Sequence, residues 1–161
     1  MLRILDITAP DINNGNGIRV TLWVAGCLHR CKGCHNQWTW NYNQGRIFKE
    51  NKKDIYKELD NWLSRDYVQG LTLSGGDPLC QDIEGLEEEL EIIQWVRDNY
   101  PDKDIWLYTG DYIKDIPEVS LEYKVIKKCD VIVEGPYEED KRDIAHCPFR
   151  GSTNQNIVYN Y

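Results

Sequence analysis

Apolar and polar positions along the chain switch between two periods. Residues 19–25 (RVTLWVA) are β-branched and aromatic, end at Gly26, and predict a buried strand. Residues 70–74, 104–108 and 130–133 are short runs of the same kind, each followed by a glycine within a few positions. Helical spacing fills the gaps. Ile55, Leu59 and Trp62 recur at i, i+4 and i+7, with Asn51 placed as an N-cap. Leu86, Leu90, Ile93, Val96 and Tyr100 hold one stripe over about four turns, which Pro101 ends. Glu84, Glu87, Glu88 and Glu89 open that helix, where its dipole favours negative charge. Residues 111–128 predict one or two short helical segments broken by Pro117, and residues 156–159 a last extended piece.

Strands alternating with helices imply βαβ units, hence an α/β fold with a mainly parallel sheet. The chain shows no internal repeat and no low-complexity segment, and its 161 residues fit a single domain spanning 1–161. The run Asn13-Asn14-Gly15-Asn16-Gly17 is a turn, because it leads directly into the first of these strands. In parallel α/β folds ligands bind at the carboxyl ends of the strands. There the residues are unusual. Cys27, Cys31 and Cys34 follow the first strand, Ser74-Gly75-Gly76-Asp77-Pro78 the second, Tyr108-Thr109-Gly110 the third and Glu134-Gly135-Pro136-Tyr137 the fourth. One edge therefore collects the candidate chemistry.

Charge narrows the function classes. With 27 acidic against 19 basic side chains the net charge is −8, which argues against a nucleic-acid partner. No apolar run approaches the ~20 residues of a membrane helix, so no membrane partner is expected. Residues 1–8 lack the basic and apolar segments of an export signal, which points to the cytoplasm. In that reducing compartment six cysteines are not expected to form disulfides. Their placement agrees. Three crowd into residues 27–34, while Cys80, Cys129 and Cys147 stand alone and read as small hydrophobes or incidental thiols.

The crowded loop, Cys27-Leu28-His29-Arg30-Cys31-Lys32-Gly33-Cys34, has the spacing CxxxCxxC. A structural zinc site wants four closed ligands, and no second CxxC is present, although His29, His35, Cys80 or Cys147 could complete one by folding. A catalytic zinc on three thiolates would be a poor Lewis acid. A [4Fe–4S] cluster on three cysteines would leave one iron open to a small molecule with amine and carboxylate groups. Spacing alone leaves these open. Gly75 and Gly76 stand where a backbone must come close to a ligand, and with Asp77 they offer acceptors that suit an ammonium rather than a phosphate.

With CxxxCxxC after one strand and GGDP after the next, the chain resembles the radical S-adenosylmethionine (SAM) superfamily. Within it, the chain is similar to the activating proteins of anaerobic ribonucleoside-triphosphate reductases, through GCLHRCKGCHN at 26–36, GLTLSGGDPL at 70–79, KDIWLYTG at 103–110, DVIVEGPY at 130–137 and RGSTNQ at 150–155. The resemblance implies an incomplete, open βα barrel. It implies that Cys27, Cys31 and Cys34 hold three irons of a [4Fe–4S] cluster, and that SAM chelates the fourth. Gly75, Gly76 and Asp77 would receive the SAM ammonium, the Gly33-Cys34-His35 backbone would line the adenine side, and Thr109 belongs to the same set. A reduced flavodoxin-like donor would supply the electron that splits SAM. The resulting 5′-deoxyadenosyl radical would take a hydrogen from a glycine Cα of the reductase large subunit. An activase of another glycyl-radical enzyme, of the formate-lyase type, and a non-catalytic zinc or iron–sulfur module are the alternatives.

Some positions depart from the superfamily pattern. Gly33 stands where many members carry an aromatic residue, so His35 or a Trp must supply any ring contact to adenine. Asp111 displaces the aromatic that usually follows YTG, and Asn156 stands where a basic residue is common. Trp62 and Trp95 read as core or its rim, Trp38 and Trp40 as shields of the loop, and His146 as part of a surface loop.

Overall fold

The computed structural model describes residues 1–143 and 145–160. Seven strands form one sheet: β1 (Arg3–Asp11), β2 (Ile18–Val24), β3 (Arg46–Ile47), β4 (Val68–Gly75), β5 (Asp104–Tyr108), β6 (Val131–Glu134) and β7 (Asn156–Tyr159). Their spatial order is β3-β1-β2-β4-β5-β6-β7. The middle four run parallel, as the alternation of elements requires. The flanks do not. β1 pairs antiparallel with both β2 and β3, and β7 pairs antiparallel with β6. The turn at residues 12–17 is too short for a parallel crossover, so β1 and β2 must fold back as a hairpin.

Three helices join the parallel strands: α1 (Phe48–Leu63), α2 (Ile83–Asn99) and α3 (Leu121–Lys128). Strand order in the parallel part follows chain order, so right-handed connections stack all three helices on one face. The period of two along each strand shows this division. Val20, Leu22, Leu71, Leu73, Ile105, Leu107 and Ile132 share one core cluster with the buried residues of all three helices. Trp106, Val131 and Val133 form a separate, smaller cluster with Tyr108, Phe149 and Ile157 on the face that bears no helix.

Helix starts follow packing as well as caps. α1 begins at Phe48, one turn before the cap expected at Asn51, because the Phe48 ring is fully buried. Asn51 instead breaks the helix (φ −124°, ψ 16°), and its amide donates to the Ile47 carbonyl at 2.8 Å. α2 is capped by Asp82, whose carboxylate accepts from the Gly85 amide at 2.7 Å. α3 follows Pro117, within the span where the sequence suggested a helical segment, and is capped by Ser120, whose side chain accepts from the Tyr123 amide. Trp62 and Trp95 are partly buried at the edge of the core.

The acidic start of α2 divides differently from the dipole expectation. Glu84 and Glu87 are exposed, but Glu88 and Glu89 turn inward. Glu88 accepts the Leu2 amide at 2.6 Å. Glu89 is 0% exposed, and neither oxygen has a hydrogen-bond partner. Burial, with the Asp77 charge nearby, raises its pKa well above the usual carboxyl value.

On the helix-free face Arg19 joins three strands while itself fully buried. Its guanidinium donates to Thr72 Oγ1 at 2.8 Å, to the Leu71 carbonyl at 2.9 Å and to the Asn16 carbonyl at 3.0 Å. Nη2 lies 2.6 Å from Asp104 Oδ1, and the group sits 5.4 Å from the Trp106 ring centre. Gly15 (φ +127°) makes room for it, since a Cβ there would stand 2.8 Å from the Arg19 side chain.

Two stability measurements follow from these buried charges. Arg19→Ala should lower unfolding free energy by about 3 kcal/mol or more, because the Leu71 carbonyl on β4 and the Asn16 carbonyl in the turn before β2 lose their donor and Asp104 loses its counter-charge. Arg19→Lys should not restore it, since one ammonium cannot span the same partners; urea midpoints at unchanged slope test both. For Glu89 the folded pKa is raised, so the folded chain retains a proton that the unfolded chain releases above about 4.3. Stability from this group is full below that value, falls by about 1.4 kcal/mol per pH unit above it, and is exhausted as pH passes the folded pKa. Glu89→Leu should therefore gain on the wild type as the pH is raised from 5 to 7.

Candidate functional site

The cysteine loop leaves β2 through Gly26 and is stapled where it returns. Gly26 N–H donates to the Thr39 carbonyl at 2.7 Å, and Cys27 N–H to the Trp40 carbonyl at 3.4 Å. Gly26 (φ +104°) cannot be replaced freely, because a Cβ would lie 2.0 Å from the Tyr42 ring. The Tyr42 hydroxyl reaches across to donate to the Cys80 carbonyl at 2.6 Å. Inside the staple, Cys27 is buried and Cys31 and Cys34 are half-buried, all as free thiols. Cys34 N–H donates to the Cys31 carbonyl at 3.1 Å, and Asn36 N–H to the Cys34 sulfur at 3.4 Å.

Cys31 senses the other two thiols. Burial first, and then the charges of Cys27 and Cys34, push its thiol up. A bound cation relieves such like-charge opposition, so the donor set fits a soft metal centre. The neighbouring Cys80 thiol pulls the Cys27 thiol down and is itself pushed up. Cys80 lies at this site, its sulfur within 4.8 Å of ligand atoms of His29, Asp77 and Asp111, which its isolated place in the sequence did not indicate. Cys129 is a buried core residue, as expected of a small hydrophobe.

The glycines of the next turn serve the loop itself. A Cβ on Gly75 (φ +123°) would stand 2.4 Å from the Val24 carbonyl oxygen, and one on Gly76 would stand 2.2 Å from that of Gly26. Gly76 N–H donates to Val24 O at 2.9 Å, and Asp77 N–H to Gly26 O at 2.8 Å. The partner that comes close at these glycines is the backbone leading into the cysteine loop.

Asp77 is the hub, at 1% exposure. Its Oδ1 accepts the Leu79 amide at 2.8 Å, while Oδ2 accepts the Gly110 amide at 2.8 Å and the Thr109 hydroxyl at 3.1 Å. His29 Nε2 lies 2.9 Å from the same oxygen and 3.6 Å from Asp111. The Asp77 carboxylate beside it raises the His29 pKa to about 9 against the opposing effect of burial, so the ring is an imidazolium at neutral pH. Gly110 leaves space for this ring, since a Cβ would meet it at 2.5 Å. The ligand-type atoms of His29, Asp77, Cys80 and Asp111 all lie within 4.8 Å of one another.

A cavity of about 510 Å³ opens beside the loop on the helix-free face. Cys34, His35, Ser74, Tyr108, Tyr137, Phe149 and Arg150 line it, together with Cys147. The His35 and Tyr137 rings stand 5.4 Å apart. The RGSTNQ segment forms its far wall: the Gln155 side chain accepts from Gly151 N–H and donates to Gly135 O, and Asn154 donates to Pro136 O. Cys34 and His35 face the cavity. Gly75, Gly76, Asp77 and Thr109 are not among its lining residues, and Gly33 (φ +76°) packs against the Glu139 carboxylate. A roomier groove of about 700 Å³ between the starts of α2 and α3 contains no thiol and has no link to this chemistry. His146 is exposed, as a surface loop requires.

Gly76→Ala should push the Gly26 carbonyl away and lose most of the iron taken up on anaerobic reconstitution, counted by iron and sulfide assay. Gly85→Ala is the control. Its Cβ would meet only the Asp82 and Gln81 side chains at 3.0 and 3.1 Å, and loading should match the wild type.

Known proteins are similar to this chain over nearly its whole length. The family model described as "4Fe-4S single cluster domain" matches residues 13–158, which settles the metal centre in favour of iron–sulfur. A protein of Enterobacteria phage T4 is 43% identical over 150 residues, covering 93% of this chain and 89% of its own. Proteins of Pasteurella multocida (strain Pm70) and Escherichia coli (strain K12) are each 38% identical, over 94% and 91% of this chain and 92% of their own. All three are named anaerobic ribonucleoside-triphosphate reductase-activating protein. The chain belongs to the family of anaerobic ribonucleoside-triphosphate reductase-activating proteins.

Proposed function

We propose that this protein is a radical SAM activase that places a glycyl radical on an anaerobic ribonucleoside-triphosphate reductase. The observation that carries the reading is the stapled loop of three free cysteines, set at the carboxyl edge of a parallel sheet beside an open cavity. Cys27, Cys31 and Cys34 would hold three irons of a [4Fe–4S] cluster and leave the fourth to the amine and carboxylate of SAM. When bound, that pair supplies one-electron cleavage of SAM and, through it, removal of a hydrogen atom from a glycine Cα.

The chain's own residues position and exclude. Gly75 and Gly76 offer backbone acceptors to the SAM ammonium, and buried Asp77 supplies the negative charge that favours it. Because His29 holds Asp77 Oδ2, the imidazolium must swing aside for the ammonium to be received there. Thr109 keeps the Asp77 carboxylate turned toward the site. Gly33, Cys34 and His35 line the adenine side, with Tyr137 backing the His35 ring. A sheet wound in one direction with helices on one face suits an incomplete βα barrel. Its bare face, with the cavity, suits a loop of a protein substrate. Six free thiols suit the cytoplasm, and a reduced flavodoxin-like carrier suits a one-electron donor. No helix among the described residues is long and apolar enough to cross a membrane.

Anaerobic reconstitution with iron and sulfide, followed by reductant and SAM, should yield 5′-deoxyadenosine. Addition of the reductase should give a glycyl-radical doublet in electron paramagnetic resonance. Cys27→Ala, Cys31→Ala and Cys34→Ala should each abolish cleavage, and Cys129→Ala should not. One equivalent of zinc with no SAM cleavage would sink the proposal, and an equally inactive Cys147→Ala would sink the three-ligand assignment.

A further inference from the structure

Four side chains of metal-binding type converge from three turns at the carboxyl edge of the sheet. His29 comes from the cysteine loop, Asp77 and Cys80 from the turn after β4, and Asp111 from the turn after β5. One ligand atom of each lies within 4.8 Å of the other three. Two of these spacings, His29 Nε2 to Asp77 at 2.9 Å and to Asp111 at 3.6 Å, are near the ~3.5 Å between ligand atoms around a tetrahedral zinc ion. His29 Nε2 is also closed off from solvent and makes no aligned hydrogen bond, even to the carboxylate beside it. A buried nitrogen left over among three other ligand atoms points to an ion held between them.

We propose that His29, Asp77, Cys80 and Asp111 form a second metal site, built without any cluster cysteine, that takes one Zn²⁺ and ties the cysteine loop to the turns after β4 and β5. Contacts that need no metal already hold the four in place. The Asp77 carboxylate accepts the Thr109 hydroxyl and the Gly110 and Leu79 amides. Asp111 N–H donates to Thr109 Oγ1 at 3.1 Å, and its carbonyl accepts the Gly135 amide at 3.0 Å. Cys80 N–H donates to the Asp77 carbonyl at 3.1 Å, and its carbonyl accepts the Tyr42 hydroxyl at 2.6 Å. Gly110 leaves the His29 ring its space. Such outer contacts orient ligands before the ion arrives. The donor set selects the metal, because sulfur and imidazole nitrogen suit zinc, whereas Mg²⁺ and Ca²⁺ take oxygen ligands. On the reading above, Asp77 cannot hold this ion and receive the SAM ammonium at once, so the zinc site belongs to the chain without SAM.

The test uses the full chain with Cys27, Cys31 and Cys34 all changed to alanine, so that no cluster thiol competes, and Zn²⁺ or Co²⁺ as the anaerobic probe. One equivalent of Zn²⁺ should survive desalting and raise the melting temperature, and Mg²⁺ should do neither. Co²⁺ should give the visible bands of a tetrahedral ion and a sulfur-to-cobalt charge-transfer band in the near ultraviolet. In that background Cys80→Ser should remove the charge-transfer band. Asp111→Asn should weaken zinc binding by about tenfold or more, the scale on which even an outer partner counts. His146→Ala, at the exposed pair with Asp143, should change nothing. If the triple variant does not fold, the wild type reconstituted with iron and sulfide takes its place, its three cysteines already engaged. Failure to retain zinc overturns the inference, and so does zinc held equally well after Cys80→Ser and Asp111→Asn. SAM cleavage plays no part in these readouts, so their failure is separable from failure of the activase reading.

Discussion

One buried guanidinium fixes the frame on which the site is built. Arg19 reaches from β2 to Thr72 and Leu71 on β4 and to Asp104 at the start of β5, and it does so from the face that has no helix to brace it. Because its donors point in a fixed planar fork and meet four partners, the register of three strands is set at one point. The carboxyl ends of those strands then come level, which brings Gly26, Gly76 and Thr109 to the same edge. An apolar side chain could fill the space but would not impose the register.

At that edge the geometry is determined by what is missing as much as by what is present. Gly26, Gly75 and Gly76 lack a Cβ where backbones of two turns meet, and Gly110 lacks one where His29 enters. Asp77 then gathers the three turns through amide, hydroxyl and imidazolium partners. An overall acidic chain can keep a carboxylate so deeply buried because each of its oxygens is met by donors.

Much of this was legible in the sequence. The four parallel strands, the two long helices and the convergence of unusual residues follow from period and punctuation, and CxxxCxxC with GGDP pointed to the chemistry. The rest depends on contacts distant in sequence. β1 carries Asp6, Pro10 and Asp11 and is buried only in patches, so it shows no clean alternation. Asn51 has the identity of a cap, yet burial of Phe48 moves the helix start past it. Glu88 and Glu89 look like dipole partners, but α2 turns them toward the sheet. GGDP gives no hint that its glycines accommodate another turn's backbone, and nothing local to Cys80 tells of Cys27.

The staple at the base of the cysteine loop separates the metal from the fold. Hydrogen bonds from Gly26 to Thr39 and from Cys27 to Trp40 close the excursion, and the main core cluster draws its residues from elsewhere among the described residues. In a zinc finger the ion is the core, and its loss unfolds the chain. Here no residue of the loop belongs to the main core cluster, so emptying the loop would leave those core contacts in place. A protein so built would meet oxygen damage to a cluster there as an intact scaffold, to be refilled rather than replaced.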